Sequence, residues 1–309
     1  MNMPSNATPE SPRDPQVLAP TVISATRRMY WSVRRELWES RSIYIAPLAV
    51  AALILVGFLL STIHLPEKMR AALALNPMQQ HELIAQPYNF AELLIMGTTF
   101  IVAVFYCLDA LYGERRDRSI LFWKSLPVSD LTTVLSKASI PIVVLPLATF
   151  AITVVTQWIM LLLSTAVLLG SGRSVEMLWT HLPLWRMSLG LLYHLVAIHA
   201  LWYAPIFGWL LLVSAWARRA PFLWAALPLL AIGVVEKIAF NTSHFAAMLG
   251  HRMGGPEGAA STAGKMSMDS MTQFTPGQFL LSPGLWIGLG VTALFLAAAV
   301  RLRRYREPI

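Results

Sequence analysis

Six separate stretches of this chain are each long and apolar enough to cross a lipid bilayer, and that limits its fold more than any other feature. A hydrocarbon core of about 30 Å takes about 20 residues of helix, because backbone amides in lipid must find partners within their own segment. The stretches cover 43–63, 91–111, 138–169, 187–216, 222–241 and 280–300. The third and fourth exceed one span, and Pro141 and Pro146 are placed to kink or extend the third. The expectation is an all-α membrane protein with six transmembrane helices. Composition agrees, since only 13% of the residues are charged against about 25% in ordinary soluble domains.

The formal charge of +8 would suggest a nucleic-acid partner in a soluble protein, so its placement decides what it means. Segments 1–42, 112–137, 215–221 and 301–309 hold 17 of the 24 Lys and Arg residues. The alternate loops 64–90, 170–186 and 244–283 hold two each, and Lys237 falls within the fifth stretch. Short cytoplasmic loops are enriched in Lys and Arg, so this alternation predicts that both termini are cytoplasmic. The basic residues fringe helices and form no nucleic-acid domain. The lone cysteine, Cys107, rules out an intrachain disulfide and a thiolate metal cluster.

Residues 1–22 read as a disordered polar leader containing Pro4, Pro9, Pro12, Pro15 and Pro20. The first apolar run lies too far from the start for a secretory signal. Residues 23–42 form an amphipathic pattern, with Met29, Val33 and Leu37 spaced by four and Tyr30 beside them. Arg28, Ser32, Arg35, Glu36 and Glu39 fall opposite, with Trp31 and Trp38 at the boundary. Such a helix either lies in the inner membrane interface or extends the first span straight into the cytoplasm. The six-helix membrane domain takes up the remainder, 43–309.

The loop over 112–137 carries the most information. Its apolar segment 120–126 has too few residues to span, is bracketed by charge and is stopped by Pro127. Ser129 is an N-cap for the next helix, with Asp130 suited to its dipole. An apolar helix projecting into the cytoplasm must be covered by the chain's own helices or by a docked subunit.

These residues resemble the permease subunits of type-2 ATP-binding cassette exporters. There, a charged cluster after the second span leads to a short helix, a Pro-Val-Ser turn and a basic residue. Glu114 to Arg118, Ser119 to Leu126, Pro127 to Ser129 and Lys137 follow that order, with Arg118-Ser119 where many members have Gly-Thr. The resemblance extends by topology over nearly the whole chain. It implies a coupling helix seated in a separate ATPase subunit of two copies, with Glu114, Arg115, Arg116 and Asp117 as polar contacts and Ile120, Phe122 and Trp123 as apolar ones. It also implies a second copy of the permease, a multi-pass place in a bacterial cytoplasmic (inner) membrane, and ATP and magnesium held by the partner, with no cofactor in this chain. On the other reading, the same charges only cap span two and set topology.

Within the spans, Thr149, Thr153, Thr156 and Gln157 share one helical face. They either line a translocation path or bond within the bundle. Glu236 and Lys237 are placed to pair, reach the outer interface or face a wet cavity, and Asp109 to meet Arg115 or Arg116. His194 and His199, five apart, align poorly for a shared metal. The outer loop 244–282 is rich in methionine without regular ligand spacing, so no metal site is assigned. Gly284 and Gly288 form a Gly-x-x-x-Gly at the start of the last span. Walker A, His-Glu-x-x-His and Gly-x-Ser-x-Gly patterns are missing from the sequence. The chain reads as a transport subunit and not as an enzyme; the competing reading is an ion-coupled carrier.

Overall fold

The computed structural model of the chain describes residues 24–72, 74–120, 128–172, 174–254 and 276–305. The leader, Phe122 and Trp123 with their neighbours, and most of the methionine-rich loop lie outside the described residues. Helix is the only regular structure among those described. Six segments are long and apolar enough to span a membrane: Ser42–Ala72, Pro77–Arg116, Asp130–Gly170, Leu178–Trp202, Pro221–Phe240 and Pro283–Tyr305.

Helix α1 (Ala25–Glu39) begins where the Ser24 side chain accepts from the Arg27 amide. Span one comprises α2 (Ser42–Ser61), a 3-10 turn at Thr62–His64 and α3 (Leu65–Ala72). Span two is α4 (Pro77–Ala110), with the short α5 (Tyr112–Arg116) at its end. Helix α4 starts well before the apolar run at 91. Asn76 caps it by accepting from the Gln79 amide at 2.9 Å, and Pro77 takes the first helical position, where no donor is needed. Capping chemistry, and not hydropathy, sets this boundary.

Span three joins α6 (Asp130–Ser139) through a π-helical segment, Ile140–Val144, to α7 (Leu145–Gly170). Ser129 caps α6, accepting from the Thr132 amide at 3.1 Å. The π winding occurs between Pro141 and Pro146, each of which lacks a donor for the helical ladder. The apolar run at 187–216 is divided: α8 (Glu176–His181), α9 (Leu184–His194) and a second π segment, Leu195–Trp202, precede a break at Tyr203 and then α10 (Ala204–Trp216). Span five is α11 (Pro221–Phe240), ending at Asn241, whose φ of 51° stops the helix. Then follow α12 (His244–Gly254), α13 (Pro276–Leu281) and span six, α14 (Pro283–Tyr305).

Helix α4 packs against α2, α7 and α10, and α10 against α14. One apolar core, including Cys107, Ile140, Phe207 and Leu211, lies toward the end carrying α1, which we call the base. A second, around Tyr88, Met160, Leu161 and Leu178, fills the opposite end. Helix α11 buries only Ala225 and turns apolar side chains such as Leu230, Val235 and Ile238 outward, the pattern of a helix solvated by lipid.

Candidate functional site

The loop over 112–137 leaves the bundle from a base built of buried charge. Glu114 on α5, Glu36 on α1, Lys137 on α6 and Arg303 near the end of α14 are each no more than 5% exposed. Lys137 Nζ lies 3.0 Å from both Glu36 carboxylate oxygens and 3.1 Å from Glu114 Oε1. Arg303 Nη2 reaches Glu114 Oε2 at 3.2 Å, and its Nε lies 3.5 Å from Asp130. Arg35 reaches Glu36 at 2.6 Å and Glu114 at 3.3 Å, while the Tyr106 hydroxyl donates to Glu36 at 3.0 Å. The inward-facing carboxylates Glu36, Glu114 and Asp130 therefore meet three cations, Arg35, Lys137 and Arg303, and the exposed Glu39 pairs with Arg35 from outside at 3.7 Å. Burial pushes the Glu36 carboxyl up, but the Lys137 ammonium and Arg35 guanidinium outweigh it and hold the group below the usual glutamate range.

Beside this cluster, Arg115 donates to the carbonyl oxygens of Ser214 and Ala217 at the end of α10. Ser214 Oγ in turn accepts from the Leu111 and Tyr112 amides, each at 2.9 Å, where α4 gives way to α5. The start of the loop is thus fastened to α1, α6, α10 and α14 together. Arg118, at the end of this fastened turn, has a φ of 56°, the left-handed region that favours glycine.

The residues expected to touch a partner divide. Glu114 and Arg115 are turned into the chain, and Ile120 is 2% exposed, whereas Arg116 and Asp117 are 54% and 61% exposed. The reason is charge balance: among the described residues, Glu114 is the one carboxylate within reach of Lys137, Arg303 and Arg35 at once. Asp109 pairs with Arg116 at 3.8 Å. On α1, Val33 and Leu37 pack on the core as their spacing implies, but Glu36 from the polar face is buried too, so α1 fastens to the chain by parts of both faces. Glu36 and Arg303 were missed as site residues. The available signal was that the sequence places a carboxylate on an amphipathic helix and an arginine cluster after the last span, both next to the same basic loop.

The polar face of span three is also internal. Thr149, Thr153, Thr156 and Gln157 are at most 2% exposed. Thr149 donates to Leu145 O and lies 2.9 Å from Thr99 Oγ1, and Thr156 donates to Ile152 O. Gln157 Nε2 donates to Glu92 Oε2 at 3.2 Å. Glu92, 5% exposed, has no place in the sequence reading: a span starting at 91 leaves it at an edge, whereas α4 carries it inside the bundle. Glu236 accepts from Thr242 Oγ1 and from the His244 and Phe245 amides, so it caps the start of α12. His199 packs among Phe100, Tyr203 and Phe207. Because π winding takes nearly one more residue per turn, the five-residue step from His194 spans about one turn. The Gly-x-x-x-Gly receives groups from its own chain: Arg252 lies over Gly288, its Nη1 donates to Gly284 O at 3.1 Å, and its guanidinium stacks 4.3 Å from the Trp202 ring.

Neither protein-family models, nor characterised proteins, nor solved structures give a match to this chain.

Proposed function

We propose that the chain is the membrane permease half of an ATP-driven exporter, moved by a separate ATPase subunit that docks on the loop over 112–137. The observation that carries this reading is the fastening of that loop. Glu114 and Arg115 tie its start to α6 of span three, α14 of span six, α10 and α1, while Arg116 and Asp117 stay on the surface. A push delivered to the exposed pair is passed to several spans at once through buried ion pairs, which are costly to break singly. The left-handed turn at Arg118 adds support, because it falls where the resembling exporters carry glycine.

On this reading the base faces the cytoplasm, as the Lys and Arg asymmetry favours, and both termini are cytoplasmic. Tyr30, Trp31 and Trp38 of α1 then sit at the bilayer interface, where their exposure is accommodated. One chain supplies half of a two-fold permease with two ATPase copies, in a bacterial inner membrane. Copurification tests the proposal. The complex extracted in mild detergent should contain an ATPase subunit and show nucleotide-dependent activity, and Arg116→Glu should weaken that association without altering membrane insertion. A preparation lacking any ATPase, or docking indifferent to Arg116→Glu, would sink it.

A second reading, an ion-coupled carrier, rests on Glu92. An acid buried in a membrane bundle marks an ion or proton pathway more often than a packing role. Transport that persists without ATP and collapses with the ion gradient would favour it.

A further inference from the structure

The polar seam between spans two and three has too few donors for its acceptors. Glu92 accepts one hydrogen bond, from Gln157 Nε2 at 3.2 Å. Among the described residues, Gln157 Oε1, Asn89 Oδ1 and Thr153 Oγ1 are buried with no hydrogen-bond partner. Asn89 lies three residues before Glu92 on α4, and Thr153 four before Gln157 on α7, so each shares a helical face with the residue that makes the contact between these helices. The Thr153 hydroxyl has one proton to give, enough for only one of the two amide oxygens, and the neighbouring hydroxyls are already spent. Thr99 donates to Ile95 O, Thr149 to Leu145 O, Thr156 to Ile152 O and Ser164 to Met160 O.

Counter-charge is also missing. Among the described residues Glu92 takes part in no ion pair, and the ionisable groups of the elements packed on this part of α4 are engaged elsewhere or exposed. Glu67 of α3 pairs with His64; Arg70 of α3 and Glu176 of α8 are exposed, and Lys68 of α3 is an exposed residue that lines the cavity beside Tyr88 with no ion pair to Glu92. Glu236 caps α12, and Lys237 is exposed. On α4 itself, His81 and Glu82 lie more than two turns away. The wall is apolar, with Ala91 and Ile95 wholly buried beside Met160 and Leu161. An ionised carboxylate with one neutral donor is strongly disfavoured there, and several orphaned oxygens around it call for an electropositive occupant.

We propose that Glu92, with the side-chain oxygens of Gln157, Asn89 and Thr153, binds a small monovalent cation, a proton or an alkali ion, inside the bundle. On the side away from the base, a cavity of about 390 Å³ between spans one, two and three and α8 is lined by Phe58, Lys68, Met69, Tyr88, Ser164 and Leu178. Tyr88, whose hydroxyl lies 3.4 Å from Ser164 Oγ, is one helical turn from Glu92. The site stands independently of which motor drives the protein.

Infrared difference spectra of the purified full-length chain test it, recorded against Glu92→Gln with choline, NaCl or KCl as the only salt. At neutral pH in choline, the wild type should show a protonated-carboxyl band that Glu92→Gln lacks and that Gln157→Leu shifts. If that band persists in NaCl and KCl, the occupant is a proton. If it converts to carboxylate at constant pH, the occupant is the alkali ion. A Glu92 that is ionised at neutral pH in all three salts, and that titrates like an exposed glutamate, overturns the proposal. Glutamine has the shape of the protonated acid, so the variant is expected to fold; the Gln157→Leu shift is a second readout that leaves the carboxyl in place.

Discussion

Lys137 is where the base cluster is most sensitive. Its ammonium, 3% exposed, bridges Glu36 and Glu114, the two most buried carboxylates of the cluster. Lys137→Met keeps the volume and the helix propensity but leaves three carboxylates facing two cations. Removing one partner of a buried pair costs about 3–5 kcal/mol. The lower end applies here, because Glu36 keeps Arg35 and Tyr106, and Glu114 keeps Arg35 and Arg303. A loss of about 3 kcal/mol corresponds to a fall in the unfolding midpoint on the order of 10 °C, taking roughly 2–4 °C per kcal/mol. Tryptophan fluorescence during heating of the purified protein reads this, with 11 tryptophans as reporters. The double variant Glu36→Gln/Lys137→Met restores the charge balance and should recover a substantial part of the loss, a coupling of about 1 kcal/mol or more. A Lys137→Met midpoint within about 1 °C of the wild type, or strict additivity in the double variant, would refute the idea that balanced buried charge fastens the loop.

Three further outcomes follow from other parts of the structure. Because Glu36 is held below its ordinary value near 4.5, its contribution is complete above that pH and is lost as pH falls through the lower folded value. Acid unfolding should therefore weaken the base below about pH 4.5, and Glu36→Gln should flatten that limb of the stability curve. Arg118→Gly relieves a left-handed residue and should raise stability by up to about 1 kcal/mol, read as an upward midpoint shift; an unchanged or lower midpoint would show that the Arg118 side chain matters more than its backbone. Gly288→Ala places a methyl group where the Arg252 guanidinium lies, so Arg252 should leave the Trp202 ring and α12 should become more susceptible to trypsin at Arg252.

What could be read from the chain before its structure follows the physics of each signal. The six apolar runs were legible because lipid demands about 20 apolar residues per helix, and five of them stand as single spans. The fourth is divided: the break at Tyr203 separates the span Leu178–Trp202 from α10, and although Pro205 in the first turn of α10 marks that break, the π segment before it depends on packing and has no such mark. The cap at Ser129 was legible because it is local, as was a pairing of Asp109 with Arg115 or Arg116, of which the fold selects Arg116. The cluster was not. Glu36, Glu114 and Arg303 stand far apart in sequence, and whether a charge near a membrane boundary faces water or another charge is decided by tertiary contact. Glu114 and Arg115 were expected as contacts to a partner, and only the fold shows that they face inward.

Charge on span two separates structure from site. At the base, three carboxylates and three cations cancel, and removing any one is costly; balance of this kind holds helices in register. Glu92 sits 18 residues before the end of α4 at Ala110, about 27 Å away at 1.5 Å per residue. There the same helix carries an acid with one amide partner, no cation among the described residues, and orphaned oxygens around it. A residue kept only for stability would be better replaced by an apolar side chain at that position, since the isolated acid adds desolvation cost and no compensating pair. The imbalance is therefore best understood as capacity: the base cluster balances its own charge, and the seam at Glu92 does not.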